Sequence, residues 1–170
     1  WFEYGGAPHR QAKAWFSHVF NHIPVVDKVN DFIDAQLKKR GLTTNDLGLI
    51  GQSMGGLVAM QAGFYREKPC AGVVAHGGTV MPLTKIRSKP KVLLIMGDKD
   101  PIFYPPQVKP KGLLKRIFAL AAKPFSLHHD ATVERLKSKG VPFTEKFIPG
   151  LEHCISDESW EAGNDFIARQ

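Results

Sequence analysis

The chain has 170 residues, 43% of them hydrophobic and 23% charged, a make-up that excludes a disordered or fibrous protein and fits one globular domain over residues 1–170. Its 23 Lys and Arg against 16 Asp and Glu give a net charge of +7, which reads first as a solvated basic face and only second as an affinity for anionic surfaces, and says nothing about fold. The longest apolar runs, such as Val92–Met96 and Ile117–Ala122, fall far short of the roughly 18 residues of a membrane-spanning helix, and two cysteines, Cys70 and Cys154, are too few for a disulfide framework and point to a reducing, cytoplasmic setting.

In chain order, Val25, Val26, Val29, Phe32, Ile33 and Leu37 recur at three- and four-residue steps, which predicts an amphipathic helix over 25–40, ended by Gly41. Leu47–Ile50 is a short, continuous apolar run closed by Gly51, the pattern of a strand covered on both faces. A helix follows over 55–66, then strands at 72–75 and 92–96, a helix at 131–139, a strand at 144–148 and a last helix at 156–168. Strands alternating with helices predict a mostly parallel sheet with helices on both faces, wound right-handedly. The rhythm breaks between Pro105 and Leu127, where Lys109, Lys111, Lys115, Arg116 and Lys123 interleave with Leu113, Leu114, Ile117, Phe118 and Leu120. That stretch reads as a basic amphipathic insertion, a lid or a peripheral membrane contact.

Gly51-Gln52-Ser53-Met54-Gly55 fits G-x-S-x-G, a pattern that average composition produces by accident in about one chain of this length in twenty. Its context raises it: the motif starts where an apolar strand stops and ends where a helix begins, the tight elbow that presents a serine at the rim of a sheet. A phosphate-binding glycine loop is the weaker reading, because neither G-x-G-x-x-G nor a P-loop lysine is present.

A serine hydroxyl becomes a nucleophile only when a base takes its proton, and the base is an imidazole oriented by a carboxylate. Asp100, in Gly97-Asp98-Lys99-Asp100-Pro101, directly follows the strand at 92–96, and His153, in Pro149-Gly150-Leu151-Glu152-His153, follows the last strand. Three strand ends thus deliver Ser53, Asp100 and His153 to one rim. Asp98 is the competing carboxylate. Among the other histidines, His128 and His129 are expected to be exposed. His76 opens His76-Gly77-Gly78, which imitates the oxyanion stretch of some esterases but follows the nucleophile strand instead of preceding it; it is expected on a loop near the site.

Trp1-Phe2, Phe32-Ile33-Asp34, Gly51-Gln52-Ser53-Met54-Gly55-Gly56, Gly97-Asp98-Lys99-Asp100-Pro101, Val133-Glu134-Arg135-Leu136 and Pro149-Gly150-Leu151-Glu152-His153 together resemble the phospholipase/carboxylesterase family of α/β-hydrolases, which includes acyl-protein thioesterases. The resemblance implies an α/β-hydrolase fold whose first strands precede this chain. It implies Ser53 as nucleophile, His153 as general base then acid, Asp100 as the group fixing the imidazole tautomer, and the Met54 backbone N–H as one oxyanion donor. Gln52 and Met54 depart from the family's usual residues at their positions, which blurs the substrate. Gln52, His76 and Ile102 are the candidates for substrate contact.

The expected function is cofactor-free and metal-independent cleavage of a small-molecule or lipid-like acyl ester or thioester through an acyl-enzyme. An amidase or dienelactone-type hydrolase is the alternative enzyme, and a weak or vestigial hydrolase serving as a binding or membrane-surface module is the alternative outside catalysis. No RNA-binding signature is present, so nucleic acid is not expected as a partner. A membrane surface met through residues 105–127 and a second copy of the chain completing the sheet remain open.

Overall fold

The computed structural model of the chain describes residues 23–81, 84–100 and 129–170. Ile102 and the basic stretch at 105–127 lie outside them. Helix α1 (Ile23–Arg40) leads through a short 3-10 turn at Thr44–Asp46 into strand β1 (Gly48–Gln52), followed by α2 (Met54–Tyr65), β2 (Gly72–His76), β3 (Lys91–Gly97), α3 (His129–Ser138), β4 (Phe143–Ile148) and α4 (Asp157–Ala168). Every element predicted from periodicity within these residues is present, with bounds shifted by at most two residues.

The end of α1 shows why the sequence stops it there. Gly41 takes φ +65°, the Leu42 N–H reaches the Leu37 carbonyl at 3.0 Å and the Gly41 N–H the Lys38 carbonyl at 3.2 Å, a Schellman closure that satisfies the last carbonyls. Lys38, Lys39 and Arg40 in the final turn oppose the negative end of the helix dipole.

The four strands run parallel in the order β1-β2-β3-β4. Side chains alternate between two cores, as the period of two requires. Val73, Ala75, Val92 and Leu94 face Met60 and Phe64 of α2 and Leu136 of α3. Val74, Leu93, Ile95 and Ile148 face Ala162, Phe166 and Ile167 of α4. Phe64 is fully buried, so its truncation to alanine would remove about 3–5 kcal/mol of stability. Helix α1 lies outside α2: Asn30 donates to the Ala62 carbonyl at 3.3 Å and Arg66 pairs with Asp34.

β2 is buried throughout, as expected of a strand covered on both faces, whereas β1 is only half-buried along its length; its place at one edge of the described sheet gives it a neighbouring strand on one side only. His129 departs further from expectation. It is 3% exposed, opening α3 and pairing with Glu145 of β4, with its ring edge-on to Phe147 at 5.2 Å between centroids. Among the described residues no helix is long and apolar enough to cross a membrane.

Candidate active site

The parallel register sets the site's frame. Gln52 of β1 lies beside His76 of β2 and His76 beside Ile95 of β3, while Gly97 of β3 lies beside Ile148 of β4. Ser53, Asp100 and His153 each follow one of these strands within a few residues, so all three leave the sheet at its carboxyl-terminal rim.

Ser53 stands between β1 and α2 with φ 54° and ψ −120°, the one left-handed non-glycine residue among those described. Such a conformation costs an L residue on the order of 1–3 kcal/mol and persists only where the surroundings enforce it. Here the Ser53 N–H donates to the His76 carbonyl at 2.8 Å and its carbonyl accepts from the Leu57 N–H at 3.1 Å. A Cβ on Gly51 would lie 2.1 Å from the Gly55 carbonyl oxygen, so only glycine lets the strand approach the helix this closely. Gly55 itself meets nothing within 4 Å, and the crowding falls on Gly56, whose Cβ would sit 3.2 Å from the Gly78 Cα. The Met54 N–H begins α2 and lies at the positive end of its dipole.

Asp100 and His153 meet directly. The imidazole Nδ1 lies 2.7 Å from Asp100 Oδ2; an ionised carboxylate only accepts, so Nδ1 carries the proton and Nε2 is left with its lone pair. The carboxylate is 1% exposed and the ring 21%. Asp98 is engaged elsewhere, its Oδ1 accepting from the Gly150 N–H at 2.6 Å. With the Lys99 N–H on the Leu151 carbonyl at 3.1 Å, this ties the loop after β3 to the loop after β4. The second loop is fixed at its far end by the capping box of α4, where Ser156 and Ser159 exchange side-chain and backbone hydrogen bonds.

One residue of the site escaped the sequence reading and another was misplaced by it. Gly77 takes φ +51°, and a Cβ there would lie 3.1 Å from the His153 ring and 3.2 Å from Asp100 Oδ2; the pair packs against bare backbone. The Gly-Gly after His76 was the available signal, but its contact with residues 23 and 76 positions away is not encoded locally. His76, in turn, is not a loop residue. It ends β2, is 2% exposed, and burial pushes its pKa below the ordinary 6.5, which keeps the ring neutral at neutral pH. Gln52, His76 and His153 line a common cleft with Cys154.

The sequence profile of the phospholipase/carboxylesterase family matches residues 9–104, more than half of the chain. The chain belongs to the phospholipase/carboxylesterase family. The matched span includes Ser53 and Asp100 and ends before His153. Solved structures share the fold of this phospholipase/carboxylesterase chain: esterase PE8 at TM-score 0.65 and 22% identity, covering 91% of this chain and 64% of that one; Arabidopsis thaliana SOBER1 at 0.64 and 20%, covering 86% and 63%; and a Bacillus cereus carboxylesterase at 0.59 and 18%, covering 87% and 61%. The α/β-hydrolase fold is thereby established, and the chain spans less than two thirds of the length of each of these proteins. No curated protein matches it.

Proposed function

We propose that the protein is a serine hydrolase of carboxylic esters or thioesters, acting through an acyl-enzyme on a single α/β-hydrolase domain. The observation that carries the reading is the Asp100–His153 hydrogen bond of 2.7 Å at the same sheet rim as a serine held in a left-handed strand-to-helix elbow. In this reading His153 Nε2 takes the Ser53 proton as Oγ attacks the acyl carbonyl. The imidazolium that forms is stabilised by Asp100. The Met54 N–H donates to the developing oxyanion, where one such donor contributes about 3–4 kcal/mol to the transition state. His153 then protonates the leaving alcohol or thiol, and next activates the water that releases the acid and restores Ser53. Gln52 and His76, which border the cleft with His153, and Ile102 are the candidates for substrate contact, and the family's name supports a small-molecule ester as substrate.

The test is active-site labelling with a fluorophosphonate probe, with Ser53→Ala as control. Labelling of the protein and its loss in Ser53→Ala is the expected result. Labelling that persists in the variant removes Ser53 as nucleophile, and a folded protein that labels in neither form is a binding module. A series of p-nitrophenyl esters and acyl thioesters of increasing chain length, set beside a lactone substrate, separates the ester, thioester and dienelactone-type activities.

A further inference from the structure

His76 has a chemistry that the proposed triad leaves unused. It is 2% exposed, and neither Nδ1 nor Nε2 has a hydrogen-bond partner among the described residues. A neutral imidazole carries one N–H donor and one lone pair, and buried groups of that kind are almost always paired with protein or with ordered water. The protein offers little from the helix side: the ring lies against α4 at Gly163, where an added Cβ would sit 3.3 Å from Nε2 and 3.2 Å from Val74, and a helix interior has its backbone groups already engaged. His76 also lines the cleft that Gln52, Leu151, Glu152, His153 and Cys154 border. That cleft is about 10 Å³, measured as the space open to the centre of a water molecule. Such a space is of the size that one water molecule needs.

We propose that His76 is a positioning residue: its buried imidazole holds one water molecule that bridges to the 151–154 segment and fixes the loop that carries His153. Water is the ligand of the right size that both donates and accepts, so it satisfies whichever nitrogen faces the cleft. The backbone of the same residue already holds the elbow, since its carbonyl accepts the Ser53 N–H at 2.8 Å. One strand end therefore anchors Ser53 through its main chain and the His153 loop through its side chain. This role rests on the serine hydrolase reading for its kinetic consequence and is independent of it for the bound water.

Two measurements test it on the intact protein. Magnetic relaxation and water-to-ring nuclear Overhauser effects in ¹⁵N-histidine-labelled protein are expected to show a long-lived water on the His76 ring; a ring without one overturns the proposal, whatever the activity. In steady-state kinetics, normalised to the fraction of sites that a fluorophosphonate labels, His76→Phe is expected to lower kcat at least fivefold with KM within twofold, and His76→Gln, which keeps a donor and an acceptor, to recover most of the loss. A folded His76→Phe with unchanged kcat, or a loss that glutamine does not recover, overturns it. Should His76→Phe fail to fold, the water signal and the kinetics of His76→Gln against His76→Leu decide. Absence of fluorophosphonate labelling in the unaltered protein counts against the hydrolase reading and leaves the water measurement standing.

Discussion

His153 donates from Nδ1 to Oδ2 of Asp100 at 2.7 Å across 53 positions of sequence, and the carboxylate that accepts this hydrogen bond is almost wholly buried. The hydrogen bond selects the tautomer that points a lone pair, not a proton, away from Asp100. Asp100→Asn keeps the shape but offers an amide that donates as readily as it accepts, so the imidazole adopts the wrong tautomer. We expect ester hydrolysis at neutral pH to fall by about 10³- to 10⁴-fold with KM little changed, measured as kcat on a p-nitrophenyl ester. Asp98→Asn, which alters only the carboxylate on the Gly150 N–H, should stay within about tenfold of the unaltered protein.

Gly77→Ala separates backbone cost from contact cost. At φ +51° an alanine loses about 1–2 kcal/mol, and its Cβ would press on the His153 ring at 3.1 Å. Gly41→Ala meets the same backbone penalty at φ +65° with nothing within 4 Å. Both variants should melt several degrees lower, and only Gly77→Ala should lose activity, by at least tenfold. Equal activity per folded molecule in the two would show that the pair tolerates displacement.

The two cysteines should differ sharply towards alkylation. Burial pushes the Cys70 thiol up to about 11, so little of it is thiolate at pH 8 and it is shielded from reagent as well, whereas Cys154 is exposed. Mass spectrometry after iodoacetamide treatment of the folded protein should find Cys154 modified and Cys70 intact, with both modified in urea. Because Cys154 borders the cleft with His153, its alkylation should also reduce activity.

Stability should fall with acid in a manner traceable to His76. Burial holds its folded pKa below the unfolded value of about 6.5. The unfolded chain therefore binds the extra proton first, and stability contributed by the neutral ring is fully present above pH 6.5 and lost as pH falls below it. Asp100, Glu152, His153 and Cys154, the other titratable groups of the cleft, are unchanged in sequence in the His76→Gln variant. Thermal melts from pH 7.5 to 5 should show a shallower acid decline for His76→Gln than for the unaltered protein; parallel curves would remove His76 from the effect.

The fold was legible because its signals are periodic and local. Val92–Met96 reads as a strand and lies fully buried in β3, and the three-four spacing from Val26 to Leu37 reads as the helix that α1 is. The strand-to-helix elbow was equally local: five residues state both its glycines and its serine. Asp98 and Asp100 follow the same strand, and two hydrogen bonds distinguish them. What could not be read is non-local. Nothing in His76-Gly77 announces that the imidazole turns towards α4 while the glycine presses on Asp100 and His153, and nothing beside His129 announces its pairing with Glu145 on β4. Those contacts arise only when strands far apart in sequence settle side by side.

The left-handed backbone at residue 53 carries a penalty that glycine would not incur. Ser53→Gly should therefore unfold at a higher temperature than either the unaltered protein or Ser53→Ala, while being inert. A sequence selected only for heat resistance would carry no hydroxyl there. In the proposed reading, the least comfortable torsion angle in the described chain is the place where robustness is given up for reactivity.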